Sequence, residues 1–513
     1  MKILYPLLLT VLVVACKQPE PAQETQVPPQ TYSPPAINMQ AFDTIPNLKS
    51  VVEKIYTDYA EKNHFPSIVY GVVANGELVL KGGTGFSNLE TKTNATSQSV
   101  YRIASMSKSF TAMAILKLRD EGKLSITNPV SQYIPEFKKA GALTSDASAI
   151  TVQHLMTMSA GFPEDNPWGD RQLDDAPEEL MSLLNDGLSF SNVPGVAYEY
   201  SNLGYALLGQ IISNVSGIPY QQYITNNILK PLGMNNSYWE IDEIPKDQVA
   251  LGYLWENDQW APEPILHDGA YGAMGGLFST LEDFAKYAAL HLDAWPPRND
   301  PETGPVKRSS IREMHQPWRF NNLFADAKNR MGSPCAVIAG YGYGLSWRKD
   351  CTGIVRIAHS GGLPGYGSEW RIYPELGIGV ISFSNNRYGA PSQANAIAID
   401  TLVSLAKLKP RTLPASQILL ERKEQLVKML PDMQDSPIFA ENFFMDQSLE
   451  NRKKEIAAIF ADAGAPKNIG EFTAFNQLRG RFTIEYENKN VNVFFTLTPE
   501  KKPLIQQLEV WVE

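Results

Sequence analysis

Residues 105–118 read Ser-Met-Ser-Lys-Ser-Phe-Thr-Ala-Met-Ala-Ile-Leu-Lys-Leu, and this stretch decides the fold. Between Phe110 and Leu118 a helix presents apolar side chains on nearly every side, and Gly122 follows where a glycine cap belongs. A helix that is apolar all round is buried in the core of a large domain. We therefore predict a central buried helix whose N-terminal turn carries Ser105.

Ser105 and Lys108 have the spacing of a nucleophile and its base. Side chains three residues apart on a helix lie on one face, so the lysine amine reaches the serine hydroxyl. The helix N-terminus adds partial positive charge there, and burial lowers a lysine pKa from its usual value of about 10.4. Ser-x-x-Lys also occurs at residues 346–349 and 404–407, in a strand-like segment and late in a helix, where both side chains fit a surface role. The context therefore favours Ser105.

Tyr200-Ser201-Asn202 is the second element, and it comes directly before a predicted helix. Ser201 or Asn202 serves as an ordinary helix N-cap, which accounts for two of the three residues but not for Tyr200. A phenol close to Lys108 passes protons between the serine, the leaving group and the attacking water, whereas Asn202 offers an amide to a substrate carbonyl. The same Tyr-x-Asn spacing at residues 486–488 falls in a predicted hairpin turn and indicates only turn chemistry.

The third element is residues 359–362, His-Ser-Gly-Gly. A strand-like segment, residues 354–358, precedes it and a glycine-rich turn follows it. Glycine lets the backbone approach a substrate closely, so the backbone N–H groups of Ser105 and Gly362 are the candidate oxyanion hole. The sequence His-Asp-Gly at residues 267–269 has the same pattern, but no apolar alternating strand leads into it.

Taken in chain order, the three elements resemble the motifs of the penicillin-binding-protein and class C β-lactamase superfamily, which also contains DD-peptidases, D-aminopeptidases and β-lactamase-like esterases. The resemblance covers about residues 48–408. It implies an α/β (α+β) fold of the β-lactamase/transpeptidase-like type. In that fold an antiparallel sheet is flanked by helices and adjoins a helical subdomain, and the nucleophile lies in the cleft between them.

The resemblance also assigns roles to the candidate residues. It implies that Ser105 attacks the substrate and that Lys108 and Tyr200 share the acid and base steps. Three residues are expected to bind substrate, namely Asn202, His359 and Gly361. Where many class C β-lactamases have Lys-Thr-Gly, this chain has His-Ser-Gly. A fixed charge for a substrate carboxylate is therefore absent, because histidine is only partly protonated near pH 7.

The favoured function is a serine hydrolase that forms an acyl-enzyme from amide or ester bonds of small substrates or D-amino-acid peptides. A dedicated β-lactamase is one alternative, and a non-catalytic envelope receptor for peptidoglycan fragments or β-lactams is another. No cofactor and no metal are expected, because the 6 histidines lack metal-ligand spacing and the sequence has no glycine-rich phosphate loop. The net charge of −10 opposes phosphate binding, so nucleic acid is not an expected partner.

The N-terminus has the features of an export signal. Met1 and Lys2 precede a short apolar run that ends at Cys16, and a bilayer crossing needs about 20 apolar residues. Residues 13–16, Val-Val-Ala-Cys, resemble a bacterial lipoprotein signal. This resemblance implies a diacylated Cys16 and a protein anchored to a membrane on the periplasmic side of the cell envelope. An ordinary signal peptide cleaved near Ala15 is the alternative.

Composition divides the chain after residue 16 into three parts. Residues 17–45 are rich in Pro, Gln, Glu and Thr and form a linker that cannot bury enough apolar surface to fold. Residues 46–408 form the predicted hydrolase domain, and residues 409–513 form a small α+β accessory domain that faintly resembles the cystatin-like or NTF2-like fold. Cys335 and Cys351 are an even pair in an exported chain, so a disulfide is expected, with two buried free thiols as the alternative.

Overall fold

The computed structural model describes residues 36–39, 42, 45–329 and 331–512. The predicted export signal, residues 1–16 with Cys16, lies outside these residues, as does most of the linker predicted at residues 17–45. Within the described part of the chain, no helix combines the length and the apolar character that a membrane crossing requires.

The strands and helices of the described residues are numbered here in chain order. The strands are β1 Ser67–Ala74, β2 Glu77–Asn88, β3 Thr93–Asn94, β4 Tyr101–Arg102, β5 Tyr253–Glu256, β6 Gln259–Pro262, β7 Phe278–Ser279, β8 Arg319–Phe324, β9 Val337–Tyr341, β10 Ser346–Asp350, β11 Val355–Leu363, β12 Tyr366–Tyr373, β13 Ile378–Ser384, β14 Pro466–Ile469, β15 Thr473–Asn476, β16 Arg479–Tyr486, β17 Asn490–Leu497 and β18 Ile505–Val512. The α-helices are α1 Leu48–Lys62, α2 Ser107–Asp120, α3 Val152–Met156, α4 Asn166–Gly169, α5 Pro177–Asp186, α6 Asn202–Ser216, α7 Tyr220–Ile224, α8 Gly272–Gly275, α9 Leu281–Asp293, α10 Arg308–Met314, α11 Ser392–Leu405, α12 Gln417–Met429 and α13 Leu449–Phe460.

A nine-stranded antiparallel sheet organises the main domain. Its strand order is β3-β2-β1-β13-β12-β11-β10-β9-β8, so strands from the two ends of the domain sequence pair near its middle, with Ile68 opposite Ser384. Both β1 and β13 are buried at every position because helices cover both faces of the sheet there. An Asn-Gly pair between two strand-like segments predicts a hairpin, and the structure confirms it: Asn75 and Gly76 join β1 to β2 with φ of 52° and 79°, as a type I′ turn requires.

Helices pack on both faces of this sheet and create two hydrophobic cores. One core lies between the sheet and a layer that includes α2, α6 and α9, and every residue of α2 from Ser107 to Leu116 is buried in it. The other core lies under α1 and α11, which pack against β1, β12 and β13. The expected fold class is therefore confirmed, as is the buried central helix. The N-terminus of α2 points to the place where β11 and β12 meet the helical layer.

The C-terminal region folds around a third core of its own. There α12 and α13 pack against a five-stranded sheet of order β14-β16-β17-β18, with β15 beside β16. The sequence predicts both helices and the strands β16 to β18. It does not predict β14 or β15, because most of their side chains are exposed and show no apolar alternation. The resemblance to cystatin-like or NTF2-like folds stays a prediction.

Candidate active site

A tight turn presents Ser105 at the start of α2. Residues Ala104–Met106 form one 3-10 turn that leads into the helix, and Ala104 has a left-handed φ of 48°, an uncommon conformation for a residue with a side chain. Strand β11 packs against this turn so closely that a Cβ atom on Gly361 would lie 2.3 Å from the carbonyl oxygen of Ile103. The same oxygen accepts a hydrogen bond of 2.7 Å from Ser368 Oγ. Strands β11 and β12 therefore fix the position of the nucleophile turn.

Lys108 is fully buried beside Ser105. Its amine nitrogen lies 2.9 Å from Ser105 Oγ, 2.7 Å from Asn202 Oδ1 and 2.8 Å from the carbonyl oxygen of Met274. Burial lowers the pKa of Lys108 to about 7, although the nearby carboxylates of Asp170 and Asp165 oppose this shift. A substantial fraction of this lysine is therefore neutral at pH 7.

The three contacts of Lys108 also orient the neutral amine. The Asn202 and Met274 oxygens are acceptors only, so they take the two N–H groups that a neutral amine keeps. The remaining direction points to Ser105, where the nitrogen lone pair accepts the hydroxyl proton. This geometry fits a general base that activates a serine hydroxyl.

Tyr200 contributes a third polar group at the same place. Its side chain lines the same cavity as Ser105, and Lys108 Nζ lies 4.9 Å from the centroid of its ring. Burial raises the pKa of the phenol well above its usual value of 10. Tyr200 therefore remains protonated at neutral pH, which suits a proton donor or relay better than an anionic base.

His359 lies in strand β11, with its ring centroid 6.4 Å from that of Tyr200. Its Nδ1 lies 2.6 Å from the carbonyl oxygen of Ser360, which is an acceptor, so Nδ1 carries the proton and Nε2 accepts from the Tyr341 hydroxyl at 3.1 Å. Burial, with the charge of Lys108 second, lowers the pKa of His359 to about 3. The expectation of partial protonation near pH 7 is therefore corrected, because this imidazole is neutral there. Residues 359–362 continue β11, and the expected glycine-rich turn follows the strand at Pro364 and Gly365.

Asn202 is placed differently from its expected role as a substrate ligand. It is fully buried, its oxygen binds Lys108, and its Nδ2 donates to Asn166 Oδ1 at 3.1 Å and to Asp170 Oδ1 at 3.4 Å. Both ends of the amide are thus occupied by protein groups. In this arrangement Asn202 positions Lys108.

Asp165 holds the N-terminus of α6 and, with it, the Tyr200–Asn202 segment. Its carboxylate accepts the backbone N–H groups of Asn202 at 2.6 Å and Leu203 at 2.9 Å, and the Ser201 hydroxyl at 3.2 Å. A carboxylate at a helix N-terminus is favourable because it satisfies free N–H groups and faces the positive end of the helix dipole. Ser201 also caps the helix through Gly204 N–H, as predicted.

A cavity of about 350 Å³ opens in front of Ser105. Its lining residues are Ser105, Asn166, Asp170, Tyr200, His359, Ser360, Gly361, Gly362, Tyr388, Gly389, Ala390 and Ser392. Asp170 is the charged member of this set, and burial raises its pKa to about 6 against the opposing charge of Lys108. The structure thus brings Ser105, Tyr200 and His359 to the cavity wall, with Lys108 and Asn202 buried behind Ser105. Ser105 and Gly362, the oxyanion candidates, both border the cavity.

Three residues of the site are missed by sequence reasoning about single motifs. These are Asp165, Asp170 and Tyr388. The acidic segment at residues 163–170 predicts a border of the cleft. Its sequence does not show which carboxylate caps a helix and which one faces the cavity. Tyr388 lines the cavity together with Asp170, and its position after β13 carries no motif.

The predicted disulfide and the expectation of no metal concern groups away from the cavity. Cys335 and Cys351 form a disulfide in the structure, with their Cα atoms 5.1 Å apart. Glu240, Asp242 and His267 place one potential ligand atom each within 4.8 Å of one another, although their sequence spacing gives no metal motif. Glu240 already binds His267 Nδ1 at 2.8 Å, and surface groups of this kind are common without an ion.

The part of the chain that carries the site is similar to known proteins. Residues 52–404 match the protein family described as Beta-lactamase. Protein flp of Staphylococcus aureus (strain N315) is 27% identical over 340 residues, which cover 65% of this chain and 62% of that protein. This chain thus spans about three fifths of the length of that curated relative.

Solved structures share the architecture. The octameric penicillin-binding protein homologue from Pyrococcus abyssi has a TM-score of 0.60 at 23% identity, over 90% of this chain and 98% of that one. A class C beta-lactamase has a TM-score of 0.54 at 19% identity, over 70% of this chain and 96% of that one. At these identities the likeness shows the fold alone.

Proposed function

Since the chain belongs to the Beta-lactamase family, we propose that it is a serine hydrolase that cleaves amide or ester bonds of small substrates or D-amino-acid peptides through an acyl-enzyme on Ser105. The single observation that carries this proposal is the 2.9 Å contact between Ser105 Oγ and the buried amine of Lys108. A nucleophilic serine needs an adjacent base, and a lysine of pKa about 7 is one at neutral pH.

In the proposed reaction, the Ser105 hydroxyl proton passes to neutral Lys108 as Oγ bonds to the substrate carbonyl carbon. The backbone N–H groups of Ser105 and Gly362 stabilise the resulting oxyanion. When the intermediate collapses, the leaving group receives a proton through Tyr200, which is reprotonated from Lys108. A water molecule then attacks the ester carbonyl, its proton goes to Lys108, and Ser105 departs as the hydroxyl with that proton.

The charge of the cavity supports a neutral or cationic substrate. Asp170 is the charged residue among its lining side chains, and His359 is neutral. Lys108 is buried, and its hydrogen-bonding directions are used by protein groups. Among the cavity-lining residues that the structure describes, a substrate carboxylate, such as the one that β-lactams carry, therefore finds no free cation, which favours esters and amine-bearing peptides over a dedicated β-lactamase.

We also propose that the enzyme works outside the cytoplasm, attached to a membrane by a lipid on Cys16. The sequence at residues 13–16 supports this location. The disulfide between Cys335 and Cys351 supports it too, because such bonds persist mainly in oxidising compartments.

Labelling and turnover test the proposed activity. A fluorophosphonate probe should label the wild type and Ser404→Ala, but not Ser105→Ala. Ser404 is the matched control, because it begins another Ser-x-x-Lys sequence and is exposed near the end of α11. Equal labelling of Ser105→Ala would remove Ser105 from the mechanism. Repeated turnover of p-nitrophenyl esters or D-alanyl peptides is expected of an enzyme, whereas a receptor would be acylated once.

A further inference from the structure

A second and larger cavity lies on the opposite face of the sheet from Ser105. On that face α1 and α11 cover β1, β12 and β13, and the strands β10 and β11 extend beyond them. The cavity there has a volume of about 760 Å³ and is closed on one side by the segment that follows β8. This volume is in the range of sites that hold small organic ligands.

Two arginines line this cavity side by side. Arg348 of β10 and Arg356 of β11 are directly opposite each other in the antiparallel register. Like charges in such positions destabilise a sheet unless something compensates them. Neither guanidinium forms a hydrogen bond or an ion pair with any residue that the structure describes, and that of Arg348 lies 5.4 Å from the ring centroid of Phe324.

The acidic groups nearby form no ion pair with either arginine. The charge of Glu369 acts on both, but Glu369 itself forms a salt bridge of 2.6 Å with Arg371. Asp400 Oδ1 accepts the Tyr373 hydroxyl at 2.6 Å, and Asp350 Oδ1 accepts the backbone N–H of Thr352 at 2.9 Å. A further lining carboxylate, that of Asp326, lies in the segment after β8 and makes no ion pair with either arginine. Burial, then the charges of Arg371 and Arg348, lowers the pKa of Arg356 to about 10, although Tyr373 and Glu369 oppose this shift.

Apolar side chains also line the cavity, among them Leu323, Phe324, Val337 and Ile354, and Lys328 is a further cation at its border. We propose that this cavity binds a small organic acid, whose carboxylate or phosphate is held by Arg348 and Arg356 and whose apolar body packs against these side chains. Guanidinium groups suit this role because their planar fork matches carboxylate and phosphate oxygens. The site does not depend on the proposed hydrolase activity.

Calorimetric titration of the purified protein tests the site with three probes of equal chain length, namely octanoate, octyl phosphate and octanol. Octanoate or octyl phosphate is expected to bind the wild type, and the tighter of the two identifies the preferred head group. Arg356→Met and Arg348→Gln should each weaken that binding about tenfold or more, because a charged hydrogen bond is lost. Lys349→Met is the matched control, since it removes one positive charge from the next residue of β10, which does not line the cavity. Its binding should equal that of the wild type, as should that of Ser105→Ala.

Several results would overturn the proposal. Absence of binding by both acids would do so, as would equal binding of octanol, or wild-type affinity in both arginine variants. Thermal melting separates a ligand site from a structural role. Without ligand, Arg356→Met should melt no lower than Lys349→Met, because its guanidinium has no protein partner to lose. A markedly lower melting temperature in both arginine variants would assign the pair to the fold instead.

Discussion

Asn202 accepts a hydrogen bond of 2.7 Å from Lys108, and protein groups contact both polar atoms of its buried amide. The amide is uncharged, so it orients the lysine without stabilising the ammonium form as a carboxylate would. The base strength of Lys108 therefore depends on its burial and on this neutral partner.

The first prediction concerns the pH dependence of the wild type. Lys108 acts as a base only when neutral, and its pKa is lowered to about 7. We expect kcat/KM to be constant well above pH 7 and to fall about tenfold per pH unit below it. A pH profile with an uncharged ester substrate measures this. Constant activity down to pH 5 would show that Lys108 is not the base.

Asn202→Asp should shift that profile to higher pH. The new carboxylate beside Lys108 stabilises the ammonium ion, so the pKa of Lys108 rises and the acid limb moves upward. Asn214→Asp is the matched control, because it makes the same change at an exposed position near the other end of α6. The acid limb of this control should coincide with that of the wild type. Coincidence of all three profiles would contradict the positioning role of Asn202.

Gly361→Ala should disable the nucleophile turn without unfolding the protein. The added methyl would lie 2.3 Å from the Ile103 carbonyl oxygen, so the turn must move. A displacement on the order of 1 Å costs about 10² in rate. Gly204→Ala is the control, because the nearest atoms to its new methyl are 3.9 Å away. Esterase rates and circular dichroism of both variants provide the measurement, and normal activity in Gly361→Ala would contradict the close approach.

Asp170→Asn should change substrate preference. Asp170 is the charged side chain at the cavity wall, so its carboxylate favours a substrate that carries an amine. We expect kcat/KM for a D-alanyl peptide with a free amine to fall about tenfold relative to its N-acetylated form, as one charged hydrogen bond is lost. If the ratio of the two substrates stays the same, recognition of the amine by Asp170 is excluded.

Acid should destabilise the fold through a buried histidine pair. His315 Nε2 lies 2.8 Å from His291 Nδ1, and its Nδ1 accepts the Trp295 N–H at 2.8 Å. Burial lowers the pKa of His315 to about 3 from 6.5, so between these values the unfolded chain binds a proton that the folded protein excludes. The contribution of His315 to the free energy of unfolding is fully present above pH 6.5. It decreases as the pH is lowered, and about 1.4 kcal/mol is lost at pH 5.5.

Urea unfolding at pH 7.5 and pH 5.5 checks this loss. His315→Asn should lose less stability than the wild type over this interval, although it is less stable at pH 7.5. The exposed His64 provides the comparison, and His64→Asn should show the wild-type difference between the two pH values. A difference in His315→Asn as large as that of the wild type would rule out His315 as the source.

The sequence predicts the fold and the candidate nucleophile best where the signal comes from neighbouring residues. The apolar α2, the Asn75-Gly76 turn and the ordered motifs around Ser105, Tyr200 and His359 depend on neighbouring residues or on a family resemblance. The neutral state of His359 and the role of Asn202 depend on groups brought from distant parts of the chain. The sequence does not predict the role of Asp170, because only the folded cavity distinguishes this residue from a solvent-exposed acid.

The pairing of β1 with β13 has a consequence for the order in which the chain folds during synthesis. Ile68 meets Ser384, so the middle of the main sheet cannot form until almost the whole domain has left the ribosome. Pairings between such distant segments are slow to form because a long loop must close first. A chain that emerges in this order keeps the middle of its main sheet unformed while it is being made, a state compatible with the export proposed above.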